Sequence, residues 1–123
     1  MSVESFEIDL KKYIAVMGVN VDQAVRKIGL DLYNDITQMT PVDTGRAKGN
    51  WNTGIGSPNT SINEGARTTQ PFRVKVGDGL KGIYITNSLP YIYTLEYGNA
   101  TRPPVGMVKV SLNNLKVSIN NVI

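Results

Sequence analysis

The chain contains no histidine and no cysteine. Without histidine it lacks the usual general base at neutral pH, the commonest metal ligand and the middle member of a Ser-His-Asp arrangement. Without cysteine it has no disulfide staple and no thiolate metal site, which fits a reducing compartment such as the cytoplasm. Aromatic residues make up only 7%, so any place where they gather is informative. No apolar run approaches the roughly 20 residues that a membrane-spanning helix requires. Met1 to Lys12 is acidic and mixed, without the basic-then-apolar order of a secretory leader. Carboxylates are scarce beyond residue 45, where only Glu64, Asp78 and Glu96 occur. A two-carboxylate hydrolase or a two-metal nuclease finds little to build on there.

At 123 residues, 41% hydrophobic and 19% charged, the chain has the size and composition of one globular domain. Its net charge of +3 hides a division: residues 1–45 carry four basic and seven acidic side chains, residues 46–123 nine basic and three acidic. The balances, −3 and +6, point to a basic face or loop set that meets an anion. The plainer reading is a solvated, lysine-decorated sheet. No internal repeat or low-complexity block is present.

Phe6, Leu10, Tyr13 or Ile14, and Met17 fall at helical spacing, so 5–17 reads as a short amphipathic helix. Asn20 and Gln23 form a capping box for a longer helix over 20–40. Its apolar stripe is Val21, Val25, Ile28, Leu32, Ile36 and Met39, with Asp22, Arg26, Asp31 and Asp35 lying off it. Pro41 ends it by disfavouring helical geometry at Thr40. The period then changes. Trp51, Thr53 and Ile55 alternate, as do Phe72, Val74 and Val76, and then Ile83 and Ile85. Residues 50–87 thus read as antiparallel strands, with Asp78-Gly79 as a tight turn. Between the first two runs lies Ser57 to Pro71, polar and aperiodic, expected to be a mobile loop that a neighbour orders. A short helix over 90–98 follows, with Ser88 and Pro90 at its start and Gly98 at its end. Residues 105–121 fit a helix through Val105, Val108, Leu112, Leu115, Ile119 and Val122, although Val108, Val110 and Leu112 also alternate like a strand. The longer helical match decides for helix.

Gly54-Ile55-Gly56 lacks the third glycine and the Lys-Ser/Thr pair of a phosphate loop, and is read as the end of a strand. Arg73 and Lys75 alternate with the apolar face of their expected strand, so they project from its other side. Such a pair suits nucleic-acid phosphates, or simply keeps a sheet face wet.

Two blocks are more distinctive. One is Thr40-Pro41-Val42-Asp43-Thr44-Gly45-Arg46, followed by Asn50-Trp51. The other is Asn87-Ser88-Leu89-Pro90-Tyr91-Ile92-Tyr93-Thr94-Leu95-Glu96-Tyr97-Gly98, followed at Pro104 by Val105-Gly106-Met107-Val108. In order and combination, over roughly residues 20–115, they resemble the tail-completion or neck proteins of tailed phages, the small tail components that include minor tail protein Z-like sequences. The sequence departs from that pattern at Ile92, where a small residue usually follows the tyrosine. In local terms the first block is a helix-to-sheet turn, with Asp43 and Thr44 bonding nearby amides and Gly45 permitting positive φ.

The expected fold is α+β, a small antiparallel sheet of about three to four strands packed against a long N-terminal helix and a C-terminal helix. The resemblance implies a structural virion protein without cofactor, metal site or catalytic residues, made in the host cytoplasm. It would sit at the head–tail junction or the top of the tail as a ring, hexamer or dodecamer, around the DNA channel. Its neighbours would be connector, terminator or tail-tube proteins. A tail terminator capping the tail tube is the alternative within virion proteins, and a small soluble DNA-binding protein the alternative from another class. Trp51, Tyr93, Tyr97, Arg46 and Glu96 are the candidates for subunit contacts, with Arg46 and Glu96 expected to pair and Tyr91 and Leu95 assigned to the core. Lys48, Arg67, Arg73 and Lys75 are the candidates for facing DNA or an acidic neighbour.

Overall fold

A computed structural model describes residues 10–123. Helix α1 is Leu10–Met17; the remainder of the helix expected over 5–17 lies outside the described residues. Gly18 turns the chain with φ 68°. Helix α2, Val21–Met39, starts at the anticipated capping box. The Gln23 amide donates to Asn20 Oδ1 at 2.8 Å, and the Asn20 amide to Gln23 Oε1 at 3.0 Å. The helix stops where proline requires it, at Thr40, whose ψ is 125°.

The sheet has two strands, β1 Trp51–Ile55 and β2 Ile83–Asn87, paired antiparallel with Trp51 opposite Asn87 and Ile55 opposite Ile83. The expected third and fourth strands are absent among the described residues. Residues Phe72–Val76 run without a ladder partner. Phe72 is drawn onto α2 instead, over Gly29 and against the Tyr33 ring at a centroid distance of 5.3 Å. The backbone then curls: the Val74 amide bonds Phe72 O at 3.1 Å, and the Lys75 amide bonds Asp78 Oδ2 at 2.9 Å. Asp78-Gly79 is not a hairpin turn but part of a 3-10 turn, Asp78–Leu80, entered through Gly77 at φ 94°.

Asp22, expected on the solvent side of α2, is buried and anchors that turn. Its carboxylate accepts from the Gly77 amide at 3.0 Å, the Gly79 amide at 2.7 Å and Arg26 Nε at 3.0 Å. These donors, the Gly77 amide foremost, hold the carboxyl below its ordinary range against the opposing effect of burial. Any side chain at residue 79 would collide with the Asp22 backbone, so glycine is required there.

Helix α3 is Ile92–Tyr97, closed by Gly98 at φ 74° as expected. Helix α4, Met107–Val122, settles the ambiguous last stretch as helix. Two apolar clusters hold the elements together. Tyr33, Ile36, Ala47, Trp51, Leu95 and Met107 join α2 to the sheet, α3 and the start of α4. Tyr13, Ala24, Leu115 and Ile119 join α1, α2 and the rest of α4. The fold is therefore a small α+β arrangement with a long helix towards each end.

Candidate interaction surface

The first distinctive block makes the corner between α2 and β1. The Thr40 hydroxyl donates to Ile36 O at 2.7 Å and accepts Trp51 Nε1 at 2.8 Å, tying the helix end to the strand start. Thr44 Oγ1 accepts the Arg46 amide at 3.3 Å, and Gly45 has φ 83°, as anticipated. Trp51 is only 4% exposed in this setting. It is a core residue rather than the expected subunit-contact residue, because the corner consumes both its ring and its N–H.

The polar stretch 57–71 forms no regular element, and polar side chains tie it to the sheet through hydrogen bonds. The Asn63 amide donates to Asn50 Oδ1 at 2.7 Å. Asn63 Nδ2 donates to Gly49 O at 2.9 Å and to Asn52 Oδ1 at 2.8 Å. Asn52 Nδ2 reaches Ser61 O at 2.8 Å, and the Thr86 hydroxyl donates to Asn59 O. Three glycines let the loop lie close: side chains at 45, 49 or 54 would overlap Arg67, Ala66 or Ser57. Asn52 and Gly54 share the face of β1 opposite to Trp51 and Ile55. The loop therefore covers the face of the sheet that α2 does not.

The second block builds the α3–α4 corner. Glu96 accepts the Val108 amide at 2.8 Å and the Lys109 amide at 3.1 Å, capping the start of α4. The expected Arg46–Glu96 pair is not formed: the ion pairs among the described residues are Asp22–Arg26, Lys27–Asp31 and Asp78–Lys81. A carboxylate already engaged by two helical amides has no need of a distant guanidinium. Leu95 is core, as expected. Tyr91 is not: it is 40% exposed, because it lies just before the first turn of α3 and outside its buried side. Tyr93 and Tyr97 stand exposed with ring centroids 4.6 Å apart, an aromatic pair at the surface.

The basic candidates divide. Arg73 and Lys75 are exposed and line one open groove of about 670 Å³, together with Ile55, Phe72, Val74, Asp78 and Lys81. Lys81 was missed in the sequence because it follows the turn rather than the alternating run. Lys48 lies in the 3-10 turn before β1, and Arg67 on the covering loop; neither lines the groove. Asp78 is buried and engaged by the Lys75 amide, so most of its charge is turned inward.

Among the described residues no group of three acidic, histidine or cysteine side chains is placed to hold a metal. No helix among them is long and apolar enough to cross a membrane. The two buried carboxylates, Asp22 and Asp78, are both committed to backbone amides of the 75–80 turn. What the arrangement offers is surface: an exposed tyrosine pair at one corner and a groove lined by basic and apolar side chains. Compared with protein-family models, with curated proteins and with solved structures, the chain matches none.

Proposed function

We propose that this protein is a structural virion component of a tailed phage. In this reading it is a tail-completion or neck protein that assembles as a ring at the head–tail junction or the top of the tail, around the DNA channel. The observation that carries the reading is the pair of sequence blocks resembling that family, each of which forms a complete corner of the fold. Thr40, Gly45 and Trp51 make the helix-to-sheet corner; Leu95, Glu96, Gly98 and Met107 make the α3–α4 corner. Residues that fix a scaffold this closely leave the outward side chains, Tyr93 and Tyr97 above all, for contact with other subunits.

Function here is the presentation of shape. Partners would be other copies of the chain and neighbouring connector, terminator or tube proteins, with Arg73, Lys75 and Lys81 facing an acidic surface or DNA phosphates. The test is electron microscopy of the purified protein, alone and mixed with tailless heads or free tails. Rings that decorate one of those ends are expected. Binding only to tube ends moves the assignment to a tail terminator. A monomer that ignores both particles and binds duplex DNA overturns the virion reading.

A further inference from the structure

The turn over residues 75–80 is held firmly for a piece of surface. Two buried carboxylates fix it: Asp22 accepts the Gly77 and Gly79 amides, and Asp78 accepts the Lys75 amide. The Leu80 amide closes on Gly77 O at 3.2 Å and the Lys81 amide on Asp78 O at 3.0 Å. Yet the side chains that this frame projects are apolar. Val76 is 81% exposed and Leu80 69%, the two highest values among the large hydrophobic side chains of the described residues. Arg73, Lys75 and Lys81 flank them in the chain and are exposed as well. Of these cations only Lys81 has a carboxylate neighbour, Asp78 at 3.8 Å. A fixed turn with apolar tips and cationic flanks suits contact with an acidic surface, because little conformational freedom is lost when it docks.

The same chain carries such a surface on the other side of α2. The turn sits over Asp22, near the start of that helix. Asp31 and Asp35 follow nine and thirteen residues later, about 180° and about 140° round the helix from Asp22 at roughly 100° per residue. With Asn34, and with Leu115 and Ser118 of α4, they line a groove of about 240 Å³. Asp31 holds Lys27 at 2.7 Å, whereas the half-buried Asp35 carboxylate has no partner among the described residues. One surface projects and is cationic; the other recedes and is acidic. They lie on opposite sides of α2, so one molecule cannot bring them together, and two copies can.

We propose that the turn 75–81 of one copy docks into the Asp31–Asp35 groove of the next, with Arg73 and Lys75 set against the carboxylates and Val76 and Leu80 shielded from water between the subunits. The inference rests on the reading that copies of this chain join one another, and it names the contact that joins them. Head-to-tail contact between two different surfaces is what closes a ring. Duplex DNA would satisfy the cations but leave Val76 and Leu80 in water. An anionic membrane would accept the turn but leave the acidic groove without a role.

The absence of native cysteine makes the test clean. Two full-length chains, Val76→Cys and Asn34→Cys, both changed at exposed positions, are mixed and oxidised at low salt, and the products are sized under denaturing conditions. A heterodimer that forms in preference to either homodimer is expected, with Thr60→Cys, on the covering loop, giving only background against both. Sedimentation velocity then compares R73E/K75E, D31K/D35K and V76D/L80D. Each should weaken self-association by about tenfold or more, and the two charge reversals combined in one chain should recover most of it. Should a reversal fail to fold, the cross-link decides the case. Oligomers that persist unchanged through all three variants and give no heterodimer overturn this contact while leaving ring assembly intact. A preferred Val76→Cys homodimer does the same, since the turn then meets its own copy. A chain that stays monomeric at every concentration also overturns the contact; if it decorates neither heads nor tails, the virion reading falls with it. Binding to phosphatidylglycerol vesicles that is lost in V76D/L80D, without self-association, assigns the turn to a membrane and overturns the proposal.

Discussion

Replacing Asn50 by alanine measures how firmly the covering loop is held. Asn50 is completely buried and serves both sides of the loop junction. Its Oδ1 accepts the Asn63 amide at 2.7 Å, and its Nδ2 donates to Arg46 O at 2.9 Å; a third contact, to Asn63 O at 3.5 Å, is too long to count. Asn50→Ala removes two good bonds and strands a backbone N–H and a C=O in a partly buried place. Each stranded group costs about 1–3 kcal/mol. Some water reaches the loop, so the lower half of that range applies and the sum is about 2–4 kcal/mol. That is a large share of the roughly 5–15 kcal/mol that keeps a domain folded. Urea unfolding followed by the fluorescence of Trp51, the single tryptophan, would read the loss as a fall in midpoint with an unchanged slope. Hydrogen exchange at the Asn63 amide should accelerate in the same variant. Thr60→Ala, in the same loop but exposed, serves as the control and should stay within about 0.5 kcal/mol of the parent. If Asn50→Ala were as stable as Thr60→Ala, with Asn63 exchange unaltered, the loop would not be anchored as described.

Four further outcomes follow from the geometry. Glu96→Ala should cost about 1 kcal/mol by uncapping α4, and Glu96→Arg combined with Arg46→Glu should be no more stable in thermal melts than Glu96→Arg alone, because the two side chains are not partners. The Asp22 carboxyl is held below its ordinary value of 3.8, so it stabilises the fold fully above that pH and ceases to do so as the pH falls through its lowered folded value. The urea midpoint of the parent should therefore drop below about pH 4 more steeply than that of Asp22→Asn, and parallel curves would count against the anchor. Gly45→Ala forces a methyl into the Arg67 carbonyl at φ 83° and should lose at least about 2 kcal/mol in the same unfolding assay. Ser111 is fully buried in α4 with a hydroxyl that has no partner among the described residues, so Ser111→Ala should raise the melting midpoint, by about 1 kcal/mol in stability terms.

Much of the frame was legible because it is written in local chemistry. Asn20 and Gln23 cap α2, Pro41 ends it, Gly45 and Gly98 take positive φ, and Trp51–Ile55 and Ile83–Asn87 alternate because one face lies on a helix. What escaped was decided at a distance. Phe72–Val76 has the alternation of a strand, but alternation records two unlike faces and carries no information on whether a ladder partner exists. Asp22 looked like a solvent-facing helix residue because the glycines that bury it are 55 and 57 positions away. The loop 57–71 looked loose because its anchors are asparagines, whose side chains imitate backbone and leave no periodic trace. Of the proposed contact residues, Tyr93, Tyr97, Arg73 and Lys75 are exposed, whereas Trp51 and Glu96 are engaged within the scaffold.

Tyr33 has implications for the order in which the molecule folds. One buried hydroxyl lies within hydrogen-bonding reach of two carbonyls, 18 and 37 positions along the chain, and donates its single proton chiefly to the nearer, Gln70 O at 2.6 Å. Those partners have nothing to dock on until α2 has wound far enough to present the phenol. Closing loops of that length costs entropy that is repaid only once a docking site exists. The helix should accordingly be formed in the rate-limiting transition state, with the sheet condensing onto it afterwards. Glycine substitutions on the exposed side of α2, at Lys27 or Gln38, would then slow refolding, whereas Tyr33→Phe would chiefly hasten unfolding.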